Sequence, residues 1–190
     1  MTSRSVAVVV ASLTMLVASS AFAQKLSIGP APTQSNTQIS AGIRYGSDNL
    51  GLGFGGRAGY TLPFGLYLGG VFDYFLGTHQ SQSVPGGGVS VSADASMWDA
   101  GGEVGYDLGL LPVLVLRPYL GFGNAHASVS QCINAGQGAN CTNQSADKAF
   151  IQFGGLLEYV AGGFFAGGDL RIMVVDDSAF ILGGHAGLLF

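Results

Sequence analysis

Ten ionisable side chains recur through the chain, set mostly among Gly and apolar neighbours: Arg44, Arg57, Asp73, Asp99, Glu103, Asp107, Arg117, Glu158, Asp169 and Arg171. Six carboxylates and four guanidiniums could do acid/base chemistry, line a path for ions, or neutralise one another as buried pairs. Cys132 and Cys141 are the only cysteines and flank a segment rich in Gly, Asn and Gln, so they could close a disulfide or hold a metal. His126 and Ser128, two residues apart, supply a base and a hydroxyl nucleophile. His79 falls in an expected loop, and His185 among the charged residues, where a satisfied polar contact is expected and not a metal site. The Gly-x-Gly runs between residues 51 and 59 precede no helix that could receive a pyrophosphate. No cofactor and no metal is therefore expected.

What these groups can do depends on the elements that carry them. From Gln38 onward every second residue is apolar in stretches of about ten, a period of two that predicts strands. The first sets Ile39, Ala41, Ile43 and Tyr45 against Ser40, Gly42 and Arg44. The second sets Leu50, Leu52, Phe54, Ala58 and Tyr60 against Gly51, Gly53, Gly55, Arg57 and Gly59. Leu66, Leu68, Phe72 and Tyr74 oppose Tyr67, Gly69 and Asp73 in the third. The fourth has Trp98, Ala100, Val104, Tyr106 and Leu108 opposite Asp99, Gly101, Glu103, Gly105 and Asp107. In the fifth and sixth, Leu116, Leu120 and Phe122 face away from Arg117, Tyr119 and Gly121, and Ile151, Phe153, Leu157 and Tyr159 from Gln152, Gly154 and Glu158. The seventh opposes Phe164, Ala166, Leu170, Ile172 and Val174 to Phe165, Asp169 and Arg171. The eighth opposes Phe180, Leu182, Ala186, Leu188 and Phe190 to Ile181, His185 and Leu189.

Eight strands of this length match the smallest membrane barrels. The connections alternate too: those after the second, fourth and sixth strands are short, whereas Gly77 to Ser96 and Ser128 to Lys148 are long, polar and expected to be exterior loops. The composition agrees. Of 190 residues 32 are Gly and 48% are hydrophobic, while only 9% are charged, too apolar for disorder and too poor in charge for an ordinary soluble enzyme. Residues 1–23 read as a secretory signal, with Arg4 before an apolar run and Ala21-Phe22-Ala23 as the cleavage site. Residues 24–37 read as a periplasmic lead-in and 38–190 as the barrel. In an exported chain the even cysteine count favours one disulfide, Cys132 to Cys141. The formal charge of −4 leaves no basic patch for nucleic acid.

A soluble barrel with an apolar interior would show the same alternation, so the faces must be told apart. Aromatics gather at both ends of the apolar face: Tyr45, Tyr74, Trp98 and Phe180 at one rim, Tyr60, Tyr106, Tyr159, Phe164 and Phe190 at the other. Two such belts suit the two headgroup layers of a bilayer. Slipping the fourth strand by one residue would put Asp99, Glu103 and Asp107 into lipid, so the register is strongly specified.

The strings Phe54-Gly-Gly-Arg-Ala-Gly-Tyr60 and Arg117-Pro-Tyr-Leu-Gly-Phe-Gly123, and the terminal Phe190 with Leu188 alternating behind it, resemble the small outer-membrane β-barrel family, the OmpA-type domains and OmpX-like proteins. The resemblance implies an all-β, eight-stranded antiparallel up-and-down transmembrane barrel in the bacterial outer membrane. It implies contact with outer-membrane lipids and lipopolysaccharide, and recognition of Leu188 and Phe190 by the barrel-assembly machinery. It further implies a role in envelope integrity or in surface interaction with an extracellular ligand. The ten lumen-facing charges are read as structural ion pairs that fill the barrel, and the protein as a monomer and not an enzyme. Two other readings compete: a narrow porin, and a lipid A-modifying enzyme, since His126-Ala127-Ser128 resembles the His-x-Ser of outer-membrane lipid A deacylases. The latter lacks an acidic orienting residue close in sequence.

Overall fold

The computed structural model describes residues 29–30, 36–83, 89–135 and 138–190. The signal segment and most of the lead-in lie outside the described residues. Among the described residues eleven strands form: β1 (Gly29–Pro30), β2 (Asn36–Gly46), β3 (Gly51–Thr61), β4 (Leu66–Phe75), β5 (His79–Ser83), β6 (Val89–Tyr106), β7 (Leu108–Leu111), β8 (Leu114–Ala135), β9 (Ala139–Ala161), β10 (Phe164–Val174) and β11 (Ser178–Leu189). Eight of them close a ring in the order β2, β3, β4, β6, β8, β9, β10, β11, each antiparallel to its neighbours, with β11 pairing back onto β2. Closure removes every sheet edge within the ring. The chain is thus all-β, an eight-stranded up-and-down barrel.

Its faces are inverted relative to a soluble protein. Phe122 and Ile43 are 68% and 66% exposed on the outside, while Arg44 and Arg171 are each 1% exposed within. All nine aromatics of the two predicted belts sit on the outer face of the ring strands, and Tyr74 packs against Phe54 with ring centroids 5.4 Å apart.

Four details of the sequence reading change. The first strand begins at Asn36, two residues early, because Asn36 and Thr37 pair with Thr61 and Tyr60. Leu50 belongs to a tight turn, in which Asp48 and Asn49 both take positive φ, and it packs inward instead of facing lipid. Leu108 starts a separate short strand, β7, beyond Asp107. The largest change concerns the two long exterior segments, which continue as strands where irregular loops are expected. β6, β8 and β9 run 18, 22 and 23 residues, about twice the expected ten, and β5 adds a fourth strand beside β6. Their Ser, Thr, Val and Ala alternation satisfies a β ladder as well as an apolar strand does, and antiparallel pairing leaves few backbone groups unpaired.

In this protruding sheet the register stays continuous but the faces exchange chemistry. The outward positions, apolar as far as Phe122 and Trp98, become Ser92, Asp94 and Ser96 on β6, His126, Ser128 and Ser130 on β8, and Asn143, Ser145 and Asp147 on β9. The positions continuing the lumen face become mixed: Val91, Ala93 and Ala95 on β6, Ala127, Val129, Gln131 and Ile133 on β8, and Ala146, Gln144 and Thr142 on β9.

Candidate functional site

Gly stands opposite several of the bulky groups in the lumen. A Cβ on Gly154 would lie 2.7 Å from Arg171 Cβ, and one on Gly183 would lie 2.6 Å from Arg44 Cδ. One on Gly55 would overlap Asp73 Oδ1, and one on Gly69 the Tyr67 hydroxyl. Glycine here supplies space for long side chains that fill a narrow barrel.

Those side chains form three layers, the outer two joined through Gln152. Toward the outer end Arg171 pairs with Asp73 and donates to Gln152 Oε1 at 3.0 Å, and Arg44 Nε lies 3.4 Å from Asp73 Oδ1. Gln152 passes the network inward by donating to Glu103 Oε1 at 2.8 Å. At mid-depth Arg57 bridges two carboxylates, Nε to Glu103 Oε2 and Nη2 to Asp169 Oδ2, both at 2.9 Å. Tyr119 accepts from Arg57 at 3.0 Å and donates to Asp169 Oδ1 at 2.8 Å. At the inner end Arg117 is chelated by Asp107, donates to Gln38 Oε1 at 3.1 Å and lies 3.6 Å from Glu158. The Tyr67 ring lies against the Arg117 guanidinium, 4.0 Å from carbon to centroid, and His185 Nε2 lies 3.1 Å from Glu158 Oε1. All ten predicted lumen residues thus lie inside the ring and are buried. Asp99 is the outlier: its nearest cationic contact is Arg171 Nη2 at 4.0 Å, and neither of its oxygens accepts a hydrogen bond.

Above these layers sits an element that the period-two reading missed. Phe75, Ala125, Phe150, Met173 and Ile181 form a buried apolar cap across the outer end of the lumen, joined by Leu50, Met97 and Val175. Its signal was present as apolar residues falling on the polar phase of their strands, Ile181 among them. Over the cap lies a vestibule of about 420 Å³, walled by Ala127, Ala146 and Ala179 and rimmed by Asp48, Asp176, Asp177 and Lys148. Lys148 pairs with Asp176.

Cys132 and Cys141 face each other across the β8–β9 pair and are joined as a disulfide near the tip of the hairpin. His79 pairs with Asp94 on the outer face of the protruding sheet. His126 does not lack an acid: Asp147, opposite it on β9, holds His126 Nδ1 at 2.7 Å. The expectation of no acidic partner fails because antiparallel pairing brings together residues 21 apart. The His126 ring also stacks on Trp98, with centroids 5.4 Å apart. Among the described residues no hydrogen bond links Ser128 to this pair. Leu188 and Phe190 lie on the outer face at the inner end, where Leu188 pairs with Ile39 and Phe190 exchanges backbone hydrogen bonds with Thr37.

A closed ring with an apolar outside, two aromatic belts and a charged, packed lumen defines an outer-membrane β-barrel protein, the one strand architecture that satisfies every backbone group in lipid. The comparisons with known proteins agree. Residues 13–161 match the family model described as Autotransporter beta-domain, and the chain belongs to this family. The fold is similar to Ail, the attachment invasion locus protein of Yersinia pestis, at 15% identity and a TM-score of 0.54, covering 83% of this chain and 100% of that one. The N-terminal β-barrel domain of Pseudomonas aeruginosa OprF matches over the same shares at 21% identity and a TM-score of 0.51. A major outer membrane protein of Thermus thermophilus does so at 13% identity and a TM-score of 0.56. No curated protein matches the sequence.

Proposed function

We propose that the protein is a closed, monomeric outer-membrane barrel whose task is to hold a rigid, disulfide-stapled sheet outside the cell for surface interaction. Residues 1–23 are taken as the export signal, 24–37 as the lead-in, and Leu188 and Phe190 as the assembly signal. The observation that carries the reading is the unbroken run of β6, β8 and β9 from the lipid layer into the exterior, above a lumen occupied by ion pairs and capped by Phe75, Phe150 and Ile181. A transport path would need an open interior, and here every layer is spanned by paired side chains.

One structure of Ail is a complex with the heparin analogue sucrose octasulfate. The charge on this chain argues for a different ligand, because outside the lumen the described residues carry Asp48, Asp94, Asp147, Asp176 and Asp177 against Lys148 alone. A polysulfate would be repelled.

Planar-bilayer recording tests the reading. The purified barrel is expected to give no steady single-channel steps, and a defined conductance would make it a narrow porin. Maleimide labelling of an engineered cysteine at Ser81 in intact cells is expected to succeed if the sheet is exterior. Mass spectrometry of lipid A from cells expressing the protein and its Ser128→Ala variant checks the enzyme alternative; the expected result is identical acylation in both.

A further inference from the structure

The vestibule is an apolar-walled cavity with a mostly acidic border. Met97, Ala125 and Met173 floor it, and Ala127, Ala146 and Ala179 wall it. Above the cavity the same sheet face is mixed, with Val129 and Ile133 alternating with Gln131 and opposite Gln144 and Asn140 on β9. The cavity border is predominantly acidic: Asp48, Asp176 and Asp177 against Lys148 sum to −2. Lys148 is already paired to Asp176, so Asp48 and Asp177 have no cationic partner among the described residues. A volume of about 420 Å³ accepts one or two large side chains. Methionine flooring lets such a site adapt to side chains of different shape.

We infer that the vestibule is a docking site for a cationic amphipathic peptide segment, which seats an apolar side chain over the lumen cap and places flanking Lys or Arg on the Asp48, Asp176 and Asp177 rim. The apolar floor alone would take any greasy group, and the acids alone would take any cation. Their combination selects a chain in which the two alternate. This deepens the display reading and rests on it, since such a partner must arrive from outside the cell.

The test uses the full-length protein in phosphatidylcholine nanodiscs and a fluorescent ten-residue peptide of alternating Lys and Leu, read by anisotropy against empty nanodiscs. Saturable one-to-one binding is expected, weakened at least tenfold in the triple variant Asp48→Asn, Asp176→Asn, Asp177→Asn and in Ala146→Trp, which fills the cavity. Asp94→Asn, which removes an acid outside the vestibule, is expected to stay within twofold. Retention of heat-modifiable gel migration establishes that each variant is folded, and Ala146→Trp keeps the test open should the triple variant fail it. The inference is overturned if the triple variant and Ala146→Trp both bind within threefold of the parent. It is also overturned if Asp94→Asn weakens binding as much, or if a peptide of alternating Ser and Leu binds equally well. Self-association of barrels abolished by the triple substitution would assign the surface to a second copy instead. Failure here with Ser81 still labelled on cells leaves display standing, whereas loss of that labelling with peptide binding intact removes display and keeps the site.

Discussion

Replacing Arg57 by Met keeps the aliphatic length of the side chain and removes the one cation that contacts two carboxylates at mid-depth. The residue is 5% exposed, and its two contacts, with Glu103 and Asp169, are each 2.9 Å long. At an effective dielectric of about 20, each such pair attracts by roughly 5 kcal/mol, and most of that is offset by the several kcal/mol needed to desolvate the guanidinium. The variant no longer bears that desolvation, but its two carboxylates stay buried. Glu103 keeps Gln152, and Asp169 keeps Tyr119 and the more distant Arg44 at 3.8 Å. Lumen charge, four arginines against six carboxylates or −2 with His185 neutral, becomes −3. The expected loss is about 3 to 5 kcal/mol, the range for breaking a buried pair. Reversible urea unfolding in phospholipid vesicles reads it through the fluorescence of Trp98, the single tryptophan, which lies at the outer belt. Adding Glu103→Gln should recover roughly 2 kcal/mol, because the orphaned charge is then gone. A loss under about 1 kcal/mol, or no recovery in the double variant, would refute the view that the lumen is held by mutual neutralisation.

The packing argument predicts opposite outcomes for two glycines. Gly55→Ala drives a methyl into Asp73 and should destabilise by about 1 to 3 kcal/mol, whereas Gly155→Ala, whose Cβ would lie 3.9 Å from its nearest neighbour, should be close to neutral in the same unfolding assay. On the lipid face, Leu170→Arg should cost about 2 to 4 kcal/mol, as a cation in the hydrocarbon layer does; a cost near zero would place Leu170 outside lipid. Converting both Cys132 and Cys141 to Ser should leave heat-modifiable migration unchanged and make the hairpin tip more sensitive to added protease, because the disulfide closes a short exterior span between positions nine apart.

The transmembrane part of the fold was legible because lipid enforces a strict rule: a strand that must be apolar on one side and polar on the other writes its register as a period of two. Asp99, Glu103 and Asp107 could be placed in the lumen from spacing alone, since any other register would put them in hydrocarbon. Outside the membrane no such rule holds. Residues 77–96 and 128–148 carry Ser, Asn, Gln and Gly, which suit loops and polar strands alike, and what decided between them was pairing across the ladder. That pairing also hid the His126–Asp147 contact, which exists only once β8 and β9 are aligned. The apolar cap was obscured for another reason: Phe75, Phe150 and Met173 adjoin lipid-facing apolar residues in sequence, so their phase was masked by neighbours such as Tyr74, Ile151 and Ile172.

The exchange of faces above the membrane follows from one register meeting two solvents. Within the bilayer the outward side must be apolar and the enclosed side can hold charge, because paired ions are shielded there by the barrel wall. Beyond Trp98 the outward side meets water and turns to Ser, Asn, Asp and His, which needs no change in the ladder. The enclosed side becomes mixed, since nothing encloses it any longer: Val91, Ala95, Ala127, Val129 and Ile133 share it with Gln131, Gln144 and Thr142. At its base the apolar character has a structural reason, because Met97 and Ala125 must meet the cap that closes the lumen. Higher up that reason is gone, and toward the hairpin tip Gln131, Gln144 and Thr142 interrupt the apolar residues. Apolar character is therefore concentrated at the vestibule, where the cap requires it and where a side chain arriving from outside would meet it.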